Sequence, residues 1–159
     1  FVYNNTTPET HRVAADLMSL GIDFQGVNKR HFRTKSRKRL QLEALIIDTM
    51  VLHDGGETAI CAISLADMAR LGATERDAED IAAFLGQLEG VRTSVTIREL
   101  EGGACKLSVR TDGILSATQI CALLGGGGHA AAAGCTIRAT IPEAKAAILD
   151  AIRQVQSHA

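Results

Sequence analysis

Two stretches in the middle of the chain alternate between apolar and polar positions. Val91, Thr93, Val95 and Ile97 interleave with Arg92, Ser94, Thr96 and Arg98; beyond Gly102-Gly103, Cys105, Leu107 and Val109 interleave with Lys106, Ser108 and Arg110. A period of two predicts strands with one buried face, here the arms of a hairpin. Residues paired across a hairpin share a face, so the register must set apolar against apolar. A two-residue Gly102-Gly103 turn would set Arg98 against Leu107 and fails this test. A three-residue loop, Glu101 to Gly103, pairs Ile97 with Leu107 and Val95 with Val109, with glycine available for the left-handed position. The same register places Arg98 beside Lys106 and Ser94 beside Arg110, so the polar face is expected to be cationic with no acid to balance it.

Helical periods flank this hairpin. Thr7-Pro8-Glu9 reads as an N-cap, a first-turn proline and a first-turn acid; Val13, Leu17 and Leu20 follow at helical spacing and Gly21 ends the helix. Residues 22–34 show no period and read as a connector. A second helix is predicted from about Ser36 to Met50, with Leu40, Ala44, Ile47 and Val51 on its apolar face. Glu57 to Ser64 is a near-continuous apolar run, expected as a central strand buried on both sides. Helices are predicted near Leu65 to Leu71 and from Thr74 to about Leu88, the latter capped by Thr74 and ended by Gly90. A helix from about Ser116 to Leu124, a strand from Cys135 to Ala139 with Arg138 on its polar side, and a helix from Glu143 to about Val155 complete the chain. The last helix should pack Ala147, Leu149, Ile152 and Val155. The order of elements predicts an α/β fold: a mixed β-sheet with helices packed against it.

Composition narrows the classes. The chain has 159 residues, 46% hydrophobic and 22% charged, with a formal net charge of −1. That suits one main domain with an ordinary core and argues against disorder. No run approaches the length of a membrane span, so no membrane is indicated and a cytoplasmic location is expected. The first residue is Phe and no leader follows it, so the numbering is expected to start inside a longer protein. Cys61, Cys105, Cys121 and Cys135 are too dispersed for a zinc site and are expected as reduced thiols.

Gly125-Gly126-Gly127-Gly128-His129 is the chemically suggestive segment. It lacks the Lys-Ser/Thr of a Walker loop, and a helix rather than a strand precedes it, against a dinucleotide fingerprint. Consecutive glycines let backbone N–H groups approach a ligand, and such amides form anion-binding nests. The adjacent His129 can add a hydrogen bond or a charge. Phosphate binding is the favoured reading; tight backbone packing stands beside it.

Ser108-Val109-Arg110, a short spacer, a helix, and then Gly-Gly-Gly-Gly-His-Ala-Ala-Ala-Ala-Gly-Cys together resemble the C-terminal substrate-binding, DHH-associated domain of DHH-family phosphoesterases, closest to the nanoRNase/pAp-phosphatase group. The opening Phe1-Val-Tyr-Asn-Asn-Thr, with Thr10 and Leu17, is similar to the end of that family's catalytic domain. The resemblance implies that residues 1–34 are the tail of an upstream catalytic domain plus a linker, and that residues 35–159 form the substrate-binding domain. It implies that Arg110 clamps a phosphate, that Gly126, Gly127 and Gly128 offer backbone amides, that His129 touches phosphate or sugar, and that Lys106 is a neighbouring cation. It further implies a two-metal centre, usually manganese, in the N-terminal domain, and no cofactor on these residues. No Asp-His-His occurs here, and His53-Asp54 reads as a turn rather than a metal site. Catalytic residues are therefore expected to lie outside this chain. Ala130 departs from the family, where proline is common, and is expected to loosen the loop.

Lys29, Arg30, Arg33, Lys35, Arg37, Lys38 and Arg39 form a run without an acid, while acids gather from Glu75 to Asp80. The run is either a solvated linker and helix start or a means of steering an anionic oligonucleotide into a cleft between domains. Aromatic residues are only 3%, which argues against an extended stacking platform and for a substrate of one to a few nucleotides. The expected partner is short single-stranded RNA or a nucleotide such as adenosine 3′,5′-bisphosphate, with a homodimer also admitted. The alternatives are an RNA-binding module similar to the C-terminal domain of alanyl-tRNA synthetases, and the same enzyme family acting on a cyclic dinucleotide or polyphosphate.

Overall fold

The computed structural model describes residues 6–79 and 81–157. The chain divides into two compact units, Phe1–Lys35 and Ser36–Ala159. In the first, α1 (Pro8–Ser19) starts at the expected N-cap: the Thr7 hydroxyl accepts from the Thr10 amide and the Thr10 hydroxyl accepts from the Thr7 amide. Gly21 takes φ +78° just beyond its end. None of its residues is buried among the described residues, so Val13, Leu17 and Met18 are all exposed. Residues 22–34 are more regular than the sequence predicts. Asp23 caps a short α2 (Phe24–Asn28), which runs into one π-helical turn, Lys29–Arg33. No residue of this stretch is buried, so it carries no apolar period. The opening residues 1–5, part of the resemblance drawn above, lie outside the described residues.

The second unit carries a six-stranded sheet in the order β1-β2-β3-β4-β6-β5. Its strands are β1 (Val51–His53), β2 (Thr58–Ile63), β3 (Thr93–Leu100), β4 (Ala104–Thr111), β5 (Gly127–His129) and β6 (Ala132–Ile137). β2 and β3 are parallel and every other pair is antiparallel, so the sheet is mixed. β2 is interior to the sheet and buried along almost all its length, as its unbroken apolar run predicts. The β3–β4 register also follows the alternation: Ile97 faces Leu107, Val95 faces Val109, Arg98 faces Lys106, and the loop is Glu101 to Gly103. One face of the sheet carries Ile60, Val95, Ile97, Leu107, Val109 and Cys135, packed with Ile120 of α6 (Ala117–Ala122) and Ile148 and Ile152 of α7 (Ile141–Gln156). The opposite face buries Ala59, Cys61 and Ile63 of β2 with Leu42 and Ile46 of α3 (Arg37–Thr49) and with Ile81 and Leu85 of α5 (Ile81–Leu85); Met68 and Leu71 of α4 (Leu65–Leu71) pack against this cluster.

Several expectations need correction. α3 does not bury Leu40, Ala44, Ile47 and Val51; Leu40 and Ile47 are about half exposed, and Leu42, Glu43 and Ile46 face inward. The helix offers two apolar sets, and packing on β2, with the Arg39–Glu43 ion pair on the inner side, selects the other one. Val51 starts β1 instead of ending the helix. The helix expected from Thr74 shortens to α5: the Asp77 carboxylate accepts from the Thr74 amide and hydroxyl, as an acid does at a helix start, but it also accepts from the Ser36 hydroxyl, which ties this segment to the start of α3. Residues 74–79 form turns, and Asp80 lies outside the described residues. β6 begins three residues earlier than predicted, and α7 buries Ala144, Ile148, Ala151 and Ile152, with Leu149 and Val155 only partly covered. All four cysteines are free and buried. Burial pushes the Cys61 thiol up to about 11, and a thiol–thiol hydrogen bond raises Cys121 and lowers Cys135.

Candidate functional site

Strand pairing fixes which side chains can meet. Arg110 on β4 is in register with Ala132 on β6, and Ala132 with His129 on β5. Paired residues share a face, so Arg110 and His129 project from the same side, two strands or about 10 Å apart at Cα. The next row on that face is Thr96, Ser108, Gly134 and Gly127, and the next is Arg98, Lys106 and Thr136. Between Arg110 and His129 the floor is therefore made of Ala132, Gly134 and Gly127, with almost no side-chain bulk. On the β2–β3 side, this same face is covered by α3 and α5. A cleft of ≈ 440 Å³ opens along that border, lined by Lys106, Ser108, Arg110, Thr96 and Arg98 from the sheet and by Glu75 and Glu79 from the 74–79 loop.

The hairpin's cations are not alike. Arg92 lies between Asp112, at 2.9 Å, and Glu57, at 3.7 Å. Arg98 is bound by Glu75 at 2.7 Å, which corrects the expectation of a polar face without an acid. That acid is 23 residues away in sequence, and no local pattern announces it. Among the described residues no ion pair involves Lys106 or Arg110. Lys106 is exposed; Arg110 is half-buried, and its guanidinium donates to the Val109 carbonyl at 3.1 Å. A guanidinium has five donors in a planar fork suited to phosphate oxygens, and among the described residues this one, at the cleft, makes a single hydrogen bond.

The glycine segment is a strand hairpin rather than a bare loop. Gly125, at φ +74°, and Gly126 close the end of α6 by donating to the carbonyls of Ala122 and Cys121. The Gly126 amide is thus already bonded and departs from its expected role as an anion donor. A Cβ at Gly126 would stand 2.3 Å from the Gly134 oxygen, and one at Gly128 2.6 Å from the Ala132 oxygen. Tight backbone packing therefore accounts for these two glycines. Gly127 is different: a Cβ there would meet nothing within 4 Å, and the residue is exposed on the edge strand. Alternate N–H groups of an edge strand point away from their neighbour. Of the expected site, then, Arg110, Lys106, Gly127 and His129 share one open face, and Lys106 and Arg110 also line the cleft. Ser108, which lies between them in the alternation, belongs with them.

The turn that carries His129 is pinned despite Ala130 standing where proline is common in the family. The Ala130 carbonyl accepts from the Ala117 amide at 2.7 Å and the Thr111 hydroxyl at 3.3 Å, and the Ala131 carbonyl accepts from the Thr111 amide. Thr111, next to Arg110, therefore sets the spacing of the two strands that present Arg110 and His129. The cleft's other wall is held as firmly. Arg39 donates to the Asp77 and Glu79 carbonyls while pairing with buried Glu43. Hydrogen bonds from Ser36 and Thr74 hold the Asp77 carboxyl low, at about 2. At Arg39, therefore, the run from Lys29 to Arg39 is structural.

A two-metal centre does not fit these residues. Among the described residues no group of three His, Cys, Asp or Glu side chains could hold a metal ion, and His53-Asp54 enters the 3₁₀ turn Asp54–Gly56. No hydrolytic step is assigned to them. No helix among the described residues is long and apolar enough to cross a membrane.

Family comparison agrees with the motif. The model of the DHHA1 domain matches residues 57–158. The chain belongs to the DHHA1 domain family. Across 156 residues it is 35% identical to the bifunctional oligoribonuclease and PAP phosphatase NrnA of Thermus thermophilus, covering 97% of this chain and 46% of that protein. It thus spans about half the length of that relative. An exopolyphosphatase-related protein from Bacteroides fragilis superposes with a TM-score of 0.89 at 24% identity, over 97% of this chain and 45% of the other. A pGpG-specific phosphodiesterase, PggH, from Vibrio cholerae gives 0.51 at 14% identity, over 76% and 40%. These two likenesses show that the mixed sheet and its helices are a fold shared with both proteins.

Proposed function

We propose that this DHHA1 domain holds the phosphate of a short oligoribonucleotide, or of adenosine 3′,5′-bisphosphate, for a metal-dependent phosphoesterase whose manganese centre lies in an N-terminal domain. The observation that carries the reading is the row Arg110, Ala132, His129 on an open sheet face, beside a cleft that also takes Lys106 and Ser108. Arg110 supplies a planar fork for two phosphate oxygens. His129 approaches from the far side of the Ala132–Gly134 floor, and Gly127 lets a ligand lie against the backbone between them. The small floor residues keep the sugar and base of a nucleotide from clashing with the sheet. The relative named as an oligoribonuclease and PAP phosphatase supports the substrate class. Residues 1–34 act in this reading as the tail of the catalytic domain and its linker. The apolar side of α1, exposed among the described residues, is consistent with a partner surface of that kind.

Titration of the chain with adenosine 3′,5′-bisphosphate in a calorimeter tests this. Arg110→Ala removes a charge-assisted phosphate contact and should weaken binding about tenfold or more; His129→Ala should weaken it several-fold. Both variants should melt like the parent, since Arg110 makes no ion pair among the described residues and His129 is exposed. Unchanged affinity in both would refute the reading. Binding of a structured tRNA, with no binding of small nucleotides, would favour the RNA-module alternative.

A further inference from the structure

The cleft does not end at Arg110. Lys106, Ser108 and Arg110 alternate along β4, so all three face it, and Lys106 stands opposite Arg98 of β3. The Arg98–Lys106 end lies four strand residues, roughly 13 Å, from Arg110. That Cα spacing leaves room along the strand for a second phosphate beyond the one held at Arg110. We propose that Arg98 and Lys106 form a second phosphate subsite for a ligand with two phosphates separated by a nucleoside, and that Glu75 is a displaceable carboxylate competing for it. The proposal rests on the reading of Arg110 and His129 as the first phosphate site.

Two cations directly opposite in an antiparallel pair repel each other, so this end of the cleft is a standing site of attraction for an anion. Arg98 is the desolvated member, its side chain 12% exposed, whereas its acidic partner Glu75 is 75% exposed. The carboxylate oxygen takes one donor of the fork, Nη1, at 2.7 Å. An exposed carboxylate bound through one oxygen is weakly held. A phosphate offers more oxygens and more charge to the same guanidinium and also engages Lys106. The loop that carries Glu75 does not depend on it. Asp77 is fixed by Ser36 and Thr74, and the Asp77 and Glu79 carbonyls are fixed by Arg39. Glu75 can therefore swing out by side-chain rotation while the cleft wall stays in place. Such a gate favours a ligand that delivers a second phosphate, and so reads length, without penalising a short ligand bound only at Arg110.

Two probes separate the ends: 5′-AMP, with one phosphate, and 5′-phosphorylated diadenylate, with two, each titrated calorimetrically into the chain at fixed ionic strength. Glu75→Gln removes the competitor's charge from a largely exposed position; the dinucleotide should bind about three- to tenfold tighter and 5′-AMP within about twofold of the parent. Arg98→Ala should lower dinucleotide affinity about five- to tenfold and leave 5′-AMP unchanged, and Lys106→Gln, at a residue that also lines the cleft beside Arg110, should weaken the dinucleotide by a clearly larger factor than it weakens 5′-AMP. Lys106 is exposed, so its variant keeps the fold even if Arg98→Ala disturbs the sheet. If Glu75→Gln and Lys106→Gln both leave the dinucleotide unchanged while Arg110→Ala still weakens 5′-AMP, the second subsite is wrong and the first stands. If Arg110→Ala weakens neither probe, the phosphate reading fails and the second subsite with it.

Discussion

Gly126 and Gly127 are adjacent, chemically identical, and under different constraints. The missing Cβ of Gly126 lets α6 close against β6, where the nearest atoms are the Gly134 oxygen and the Cys135 Cβ at 2.4 Å. That of Gly127 faces open space. Gly126→Ala should destabilise the fold by about 1–3 kcal/mol through overpacking, while Gly127→Ala should cost under about 1 kcal/mol. Urea unfolding of the two variants checks this, and equal losses would contradict the assignment. At this scale the sequence announces a functional segment but not the division of labour within it. Four glycines in a row look alike until the backbone they approach is known. Arg110 and Lys106 are legible from alternation alone, because period two places them together whatever the fold around them. Glu75 is not, since its meeting with Arg98 depends on a long-range crossover.

Elements with a strong local signature match their expected positions, except the helix capped by Thr74, which shortens to α5. The β3–β4 hairpin has only one register that sets apolar against apolar, and α1, α4 and α7 start at residues with capping side chains. Elements without such a signature are misread. β1 has three residues, and β5 has two glycines of its three, so neither carries a usable alternation. α3 shows the limit most clearly: two apolar sets are available, and the partner strand β2 chooses between them. Leu42→Ala should therefore cost about 2–5 kcal/mol, and Leu40→Ala, on the exposed side, within about 0.5 kcal/mol. Thermal melts that gave the two variants equal shifts would put the helix in the wrong rotation.

Across the whole molecule, a near-neutral net charge hides a division of surfaces. The sheet's α6–α7 face is sealed by an apolar core, and the opposite face is sealed only over β2 and β3. The half made by β4, β6 and β5 is left open, floored by alanine and glycine and lined by Lys106, Ser108, Arg110 and His129. Helices cover a sheet face to bury its side chains, and here the uncovered half has few apolar side chains to bury. This asymmetry makes the open half available for a ligand, and it places Lys106, Ser108, Arg110, Gly127 and His129 on one side. Backbone amide chemical shifts recorded during titration with a 5′-phosphorylated diribonucleotide test it most directly. Shifts concentrated at residues 106–110, 127–129 and 132–136 and along the 74–79 loop are the expected result; shifts confined to α7 and its side of the sheet, or none at saturating nucleotide, would contradict it.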